Sequence, residues 1–188
     1  MESIEKELFN KIKQNDQAAL EKLHRQYYQA LCTFSCNYVK SVHAAEEVVS
    51  DVFLNLWLKR NSIHIKSSIK SYLYTSVRNQ SINYRNTQKQ TFEEIEDNCF
   101  ECESSDQHAD AKVNYTETLH LVEKIIRELP PQRQTIFRLN RIDGLKYKEI
   151  AEILSISVNT VQKQMTEAIK HISKYYSHKI LVLFSFIK

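Results

Sequence analysis

The stretch LNRIDGLKYKEIAEILSISVNTVQKQMTEAIKHI, residues 139–172, decides the fold of the C-terminal half of the chain. Apolar residues recur every three or four positions along two segments, which indicates two amphipathic helices. Only residues 155–157 separate them, and Ser157 is suited to N-cap the second helix. So short a connection predicts a helix-turn-helix, a unit that often binds DNA. The positions predicted to be buried are Tyr147, Ile150, Ala151 and Leu154 in the first helix, and Val158, Val161, Met165, Ala168 or Ile169, and Ile172 in the second.

The composition of the whole chain predicts an all-α fold. Its 188 residues include one glycine and two prolines, whereas sheet-rich folds need many turn residues. Three residues are expected to mark helix ends: Asp16 as an N-cap, Pro131 in a first turn, and Gly144 after a helix, where a positive φ is needed. The N-terminus lacks an apolar core and the longest apolar run, residues 180–187, is too short to cross a bilayer, so we expect a cytoplasmic protein.

Charge divides the chain into three parts. All charged residues in 59–90 are basic, all those in 93–110 are acidic, and bases again outnumber acids from Arg127 onward. This layout predicts two nucleic-acid-facing surfaces around a solvated joint. We therefore predict two small helical domains, residues 1–90 and 116–176, joined by an acidic flexible linker, residues 91–115, and followed by a hydrophobic tail, residues 177–188.

The sequence offers little sign of catalysis or of a bound metal. No Ser/His/Asp arrangement, phosphate-cradling glycine loop or metal-ligand cluster is visible, so we expect no enzyme activity, cofactor, metal or small-molecule substrate. The linker does contain Cys99-x-x-Cys102. A metal or redox role for this pair is the less favoured interpretation, because no second ligand pair accompanies it.

Residues 45–57 follow helical spacing without a miss and predict a buried helix face. A second stripe lies on a different face of the same helix, and we call it the acidic–leucine stripe. It is either a scatter of exposed residues, which is common, or a protein-binding surface. Its members are Glu47, Asp51, Leu54 and Leu58.

The next helical pattern begins at Ser71 after a predicted loop, with Leu73 and Val77 facing inward. Basic side chains mixed with aromatic ones are typical of surfaces that bind single-stranded nucleic acid. The alternative is a solvated helix whose tyrosines pack on the core. A face predicted to be outward contains Tyr74, Arg78, Ser81 and Arg85, with Tyr72 and Tyr84 close by.

Two longer motifs resemble a known family. LPPQRQTIFRLNRIDGLKYKEIAEILSISVNTVQKQMTEAIKHI, residues 129–172, closely resembles the promoter-binding C-terminal domain of bacterial RNA polymerase sigma factors. LuxR-type regulators are similar over the same residues, so this half leaves both families open. AEEVVSDVFLNLWLKR, residues 45–60, and IKSYLYTSVRNQSINYRN, residues 69–86, resemble the sigma domain that binds core polymerase and opens the promoter. The chain as a whole resembles the compact extracytoplasmic-function (ECF) group, and its second motif helix is similar to members common in Bacteroidetes.

The resemblance implies a function and places it on matching residues. The helix 45–60 would bind the β′ clamp of core RNA polymerase through Glu47, Asp51, Leu54 and Leu58. The segment 61–85 would hold the melted minus-ten strand, with a base flipped into a pocket near Asn79; its contacts would be Tyr72, Tyr74, Arg78, Asn79 and Arg85. The helix-turn-helix would read the minus-thirty-five element through Arg141, Lys146, Lys148, Asn159, Thr160, Gln162, Lys163, Gln164 and Lys170.

The family also implies partners and an alternative. The partners are core RNA polymerase, through both its β′ clamp and its β flap, promoter DNA, and an anti-sigma factor, which in the family is frequently membrane-bound. Many members carry arginines at the positions of Gln164 and Glu167, so weaker anchoring at the minus-thirty-five element is expected here. The alternative function is a LuxR-type regulator that binds duplex DNA without being a polymerase subunit.

Overall fold

A computed structural model describes residues 2–65, 67–89 and 123–175 of the chain. The regular elements in these ranges are helices, and no strand occurs among them, which confirms the predicted all-α class. The chain divides into two compact units, Met1–Cys102 and Glu103–Lys188. The predicted linker, the Cys99/Cys102 pair and the hydrophobic tail lie outside the described residues.

In the described part of unit 1, four helices form a bundle in which α2, α3 and α4 pack against one another and α1 packs mainly on α2. The helices are α1 (Glu2–Lys13), α2 (Gln17–Val39), α3 (Val42–Leu58) and α4 (Ile69–Lys89). The predicted core face of α3 is confirmed except at Trp57, which is half-buried. Its buried residues are Ala44, Ala45, Val48, Val49, Val52, Phe53 and Leu56.

Side-chain caps set where these helices begin. Asp16 caps α2 as predicted, because its Oδ1 accepts a hydrogen bond from the Ala19 N–H at 3.1 Å. The fourth helix begins at Ile69, two residues earlier than the sequence pattern suggested. The reason is Ser68, whose Oγ accepts from the Ser71 N–H at 3.1 Å and so satisfies a backbone donor of the first turn.

Unit 2 places two helices, α5 and α6, against a longer one, α7. A helical segment, residues 123–127, precedes α5 (Pro131–Arg141), α6 (Tyr147–Leu154) and α7 (Val158–Tyr175). Pro131 occupies the first turn of α5, as predicted. Gly144 has the predicted positive φ, 69°, and lies two residues beyond the C-cap of α5 at Ile142. Pro131 and Gly144, which mark a helix start and a helix end, account for short connections between the helices of unit 2.

The predicted helix-turn-helix is present as α6, residues 155–157 and α7. Ser155 adopts a left-handed conformation with φ 56°, and Ser157 Oγ accepts from the Thr160 N–H at 3.0 Å. In α6 the predicted core residues Tyr147 and Leu154 are only half-buried, whereas Ile153 is buried. In α7 the prediction was wrong for Val158, which is 43% exposed, and Ala168 rather than Ile169 is the buried member of its pair. Both exposed residues lie on one flank of the buried face, roughly 60–80° around the helix axis from Val161.

Within the described ranges, none of the helices combines the length and the hydropathy that a bilayer-spanning segment needs.

Candidate protein-binding and nucleic-acid-binding surfaces

The acidic–leucine stripe is an exposed face of α3. Leu54 and Leu58 are 55% and 64% exposed, although the opposite face of the same helix is buried in the core. Glu47 is exposed and Asp51 is half-buried. All four predicted residues thus lie along one side of the helix, at spacings of four, three and four residues. Two neighbouring leucines in solvent, next to two carboxylates, form a surface suited to a partner with apolar and basic side chains.

A shallow apolar groove, which the sequence reading missed, lies between α2 and α3. His24 packs at 4.8 Å from the Phe53 ring and 4.6 Å from the Tyr28 ring, measured between centroids. Burial among these rings lowers the pKa of His24. The sequence could have revealed this groove, because residues that line it are spaced four apart on each of the two helices. The residues that line the groove are Gln17, Leu20, Glu21, His24, Phe53 and Trp57.

Only part of the predicted minus-ten face of α4 is exposed, and the prediction was wrong for Tyr74. Tyr74 is fully buried and packs edge-to-face on Phe34 of α2, so it cannot contact a nucleic acid in this structure. Ser81, on the same face, is also buried, and its hydroxyl lies 2.8 Å from that of Ser35. The physical reason is that α4 packs against both α2 and α3, so a wider part of its circumference is buried than one stripe.

The other four predicted minus-ten residues remain accessible. Asn79 and Arg85 are exposed, and Tyr72 and Arg78 are half-buried. Burial raises the pKa of Tyr38, and the charge and hydrogen bonding of Arg78 partly offset that rise, so the guanidinium lies against the end of α2. The sequence of α4 contains no acidic residue. Its accessible side is therefore positive, and two tyrosines of the helix, Tyr72 and Tyr84, are partly exposed.

The predicted DNA-reading face of α7 is largely exposed. Asn159, Gln162, Lys163 and Lys170 are exposed, whereas Thr160 is half-buried and its hydroxyl lies 2.8 Å from that of Ser157. Thr166, which the sequence reading omitted, is exposed on the same side. Helical spacing could have found it, because Thr166 is three residues after Lys163 and four before Lys170.

The electrostatics of this face are mixed. The hydrogen bond and charge of Lys170, whose Nζ lies 3.0 Å from Glu167 Oε1, lower the pKa of Glu167. This pairing reduces the positive charge that Lys170 offers to an anionic partner. On α5, the Arg133 Nε donates a hydrogen bond of 3.0 Å to Gln164 Oε1, and both residues are half-buried.

The remaining predicted positions flank the start of α6. Lys146 and Lys148 are exposed and Arg141 is half-buried. All three carry positive charge in residues 141–148, which lead into the helix-turn-helix. The described residues contain no group of three or more His, Cys, Asp or Glu side chains placed to hold a metal ion.

Two family models match the chain. The model for sigma-70 region 2 matches residues 23–91, and the model for sigma-70 region 4 matches residues 119–172. The two regions occur in the order expected for a sigma factor. They cover α3 with its acidic–leucine stripe, the predicted minus-ten face of α4 and the predicted DNA-reading face of α7. The chain belongs to the sigma-70 family of RNA polymerase sigma factors. As a sigma factor, it directs promoter-specific transcription, and the region 2 match leaves the LuxR-type alternative unsupported.

Curated relatives assign this sigma factor to the ECF group. It is 28% identical to RNA polymerase sigma factor YlaC of Bacillus subtilis over 151 residues, which cover 80% of this chain and 87% of YlaC. It is 25% identical to the ECF RNA polymerase sigma-E factor of Escherichia coli over 169 residues, covering 86% and 88%. The finer resemblance to members from Bacteroidetes is not confirmed by these matches and stays a prediction.

Two solved structures have the same fold as this sigma factor. CnrH, in complex with the cytosolic domain of CnrY, matches with a TM-score of 0.57 and 17% identity, covering 91% of this chain and 96% of CnrH. The sigma factor RpoE of Bartonella quintana, in complex with the anti-sigma factor NepR, matches with a TM-score of 0.55 and 19% identity, covering 82% and 94%.

Proposed function

We propose that this sigma factor binds core RNA polymerase through the acidic–leucine stripe on α3. Leu54 and Leu58 would bury their exposed side chains against the partner, which is favourable by about 25 cal/mol per Å² of apolar surface removed from water. Glu47 and Asp51 would select basic groups beside that contact. The matching segment of the family binds the β′ clamp, and the β flap is the second proposed contact on the polymerase.

The accessible side of α4 would hold the melted minus-ten strand. Arg78 and Arg85 would contact phosphates, Tyr72 would stack on a base, and Asn79 would lie near the pocket for the flipped base. Unstacking a base costs a few kcal/mol, so contacts in such a pocket must offset it. The absence of acidic residues from α4 supports the proposal, because a carboxylate there would repel the strand.

The helix α7 would enter the major groove at the minus-thirty-five element. Asn159, Gln162, Thr166 and Lys163 are exposed and can reach base edges or phosphates, and Thr160 lies at the helix start. The basic residues near α6 would contact backbone phosphates and fix the register of α7 in the groove. These phosphate-binding residues are Arg141, Lys146 and Lys148.

The sigma factor would act in the cytoplasm as a specificity subunit without catalytic activity of its own. It would be held inactive by an anti-sigma factor; of the similar solved structures, RpoE is in complex with the anti-sigma factor NepR, and CnrH with the cytosolic domain of CnrY.

The observation that carries the proposal is the exposure of Leu54 and Leu58 on the face of α3 opposite its buried core face, within the region 2 match. Size-exclusion chromatography with purified bacterial core RNA polymerase tests it. The sigma factor is expected to co-elute with the polymerase as a stoichiometric complex. Separate elution of the two proteins would contradict the proposal.

A further inference from the structure

A hydrogen bond between two side chains links α5, the helix before the helix-turn-helix, to α7, the helix proposed to read DNA. The Arg133 Nε of α5 donates a hydrogen bond of 3.0 Å to Gln164 Oε1 of α7, across 31 residues of sequence. Gln164 is half-buried and lies beside the exposed face that contains Lys163. The contact therefore lies at the edge of the surface proposed to enter the major groove.

This contact fixes which end of the Gln164 carboxamide faces the protein. A guanidinium has only donors, so the group that faces Arg133 must be the carbonyl oxygen of Gln164. The NH₂ group then points away from Arg133. Oxygen and nitrogen of an amide are normally assigned from such networks, and here the donor-only partner leaves a single assignment. Without Arg133 the carboxamide could turn by about 180° at little cost, since this terminal torsion is roughly two-fold.

The charge of Arg133 also extends along α7. The pKa of Glu167 is lowered first by its hydrogen bond and charge interaction with Lys170, and the positive charge of Arg133 adds to the same effect. Glu167 follows Gln164 by three residues, so the two side chains are neighbours on one side of α7. Because Arg133 interacts with both, it lies along that side of the helix. The guanidinium is thus placed beside the reading face and not behind it in the core.

We propose that Arg133 is a positioning residue for promoter recognition, which orients the Gln164 carboxamide for one base pair of the minus-thirty-five element. The inference rests on the proposed function, because it assigns a role within the same DNA-reading surface. An oriented amide presents a fixed pattern of donor and acceptor and so discriminates between bases. An amide that turns freely matches several bases and discriminates less.

The test is transcription by the complete holoenzyme, core polymerase plus the full chain, from promoters randomised across the minus-thirty-five element. Arg133→Met keeps much of the side-chain volume and removes the donor. It is expected to lower discrimination at one base pair by roughly fivefold to tenfold, while preference at the other positions is unchanged. Gln164→Ala should lose preference at the same base pair. The double variant should match Gln164→Ala alone, because Arg133 acts through Gln164.

Two controls separate orientation from stability. Arg133→Lys retains a donor and is expected to restore part of the preference, and Arg127→Met removes an exposed arginine that pairs with Glu123 instead. Uniform loss of transcription at all promoters with Arg133→Met, or unchanged preference, would overturn the inference. A changed preference that persists in the Gln164→Ala background would do the same. If the wild-type chain drives no promoter-dependent transcription, the proposed function itself fails.

Discussion

Tyr74 of α4 packs edge-to-face against Phe34 of α2, with ring centroids 5.1 Å apart and an interplanar angle of 67°. Such aromatic pairs stabilise beyond the area that they bury. Two residues earlier, Tyr72 is only half-buried. The two tyrosines therefore differ in their surroundings, although only one residue separates them: Tyr74 holds α4 on α2, whereas the ring of Tyr72 is partly exposed.

Substitution of the two tyrosines is expected to separate stability from function. Tyr74→Ala should lower the free energy of unfolding by about 3–5 kcal/mol, because it leaves a cavity in the core. Tyr72→Ala should lower it by less than about 1 kcal/mol and should reduce promoter melting instead. Urea unfolding followed by the fluorescence of Trp57, the single tryptophan, measures the first effect. Equal destabilisation by both variants would contradict this division.

Leu54→Glu is expected to abolish binding to core RNA polymerase while leaving the fold intact. The leucine is 55% exposed, so a charge there should change the free energy of unfolding by no more than about 0.5 kcal/mol. In a complex the charge would be buried in an apolar contact, which is costly. A pull-down with core polymerase measures the effect. Asn55→Glu, which adds the same charge to an exposed neighbour outside the stripe, is the control and should bind normally.

Asn79→Ala is expected to impair opening of the promoter more than binding to the duplex. Asn79 is exposed on the basic side of α4, where the flipped base is proposed to lie. Permanganate footprinting of the holoenzyme reports unpaired thymines and so measures melting directly. Asn37→Ala, at an exposed asparagine of α2, serves as the control. Normal permanganate reactivity with Asn79→Ala would remove this residue from the minus-ten contacts.

Lys163→Gln is expected to weaken duplex binding in a salt-dependent way. If Lys163 contacts a phosphate, its loss should reduce the slope of log K against log salt by about one unit. If Lys163 reads a base, the slope stays and the promoter preference changes. Binding of the holoenzyme to promoter duplex is measured across a salt series. Lys124→Gln changes an exposed lysine outside the helix-turn-helix, and should leave slope and preference unchanged.

The stability of unit 1 is expected to fall in mildly acidic solution because of His24. Burial lowers the pKa of His24, so the folded state binds a proton less readily than the unfolded state. Its contribution is complete above the unfolded pKa, about 6.5, and is lost as the pH falls below that value towards the folded pKa. Urea unfolding followed by Trp57 fluorescence measures the change. His24→Gln should remove this part of the pH dependence, and His43→Gln provides a matched control on α3.

Local features of the fold were predictable from the sequence because each depends on a few neighbouring residues. The Asp16 cap, the positive φ of Gly144 and the three-residue turn ending at Ser157 all follow from residue type and position. The exposed leucines at 54 and 58 followed from periodicity, since the core face of the same helix was already assigned.

Contacts between helices were not predictable in the same way. Tyr74 looked like a surface residue because the periodicity of α4 indicates one buried face, whereas α4 packs on two neighbours. The hydrogen bond between Arg133 and Gln164 joins residues 31 positions apart, and no local pattern marks it. Val158 was placed in the core by spacing alone, although it lies to one side of the face centred on Val161.

The most direct test of the account is transcription in vitro with purified core RNA polymerase, with and without this sigma factor, followed by mapping of the start sites. We predict starts that appear only when the sigma factor is present and that share two sequence elements at a fixed separation upstream. The result that would contradict the account is an unchanged set of starts, combined with sequence-specific binding of the isolated chain to duplex DNA.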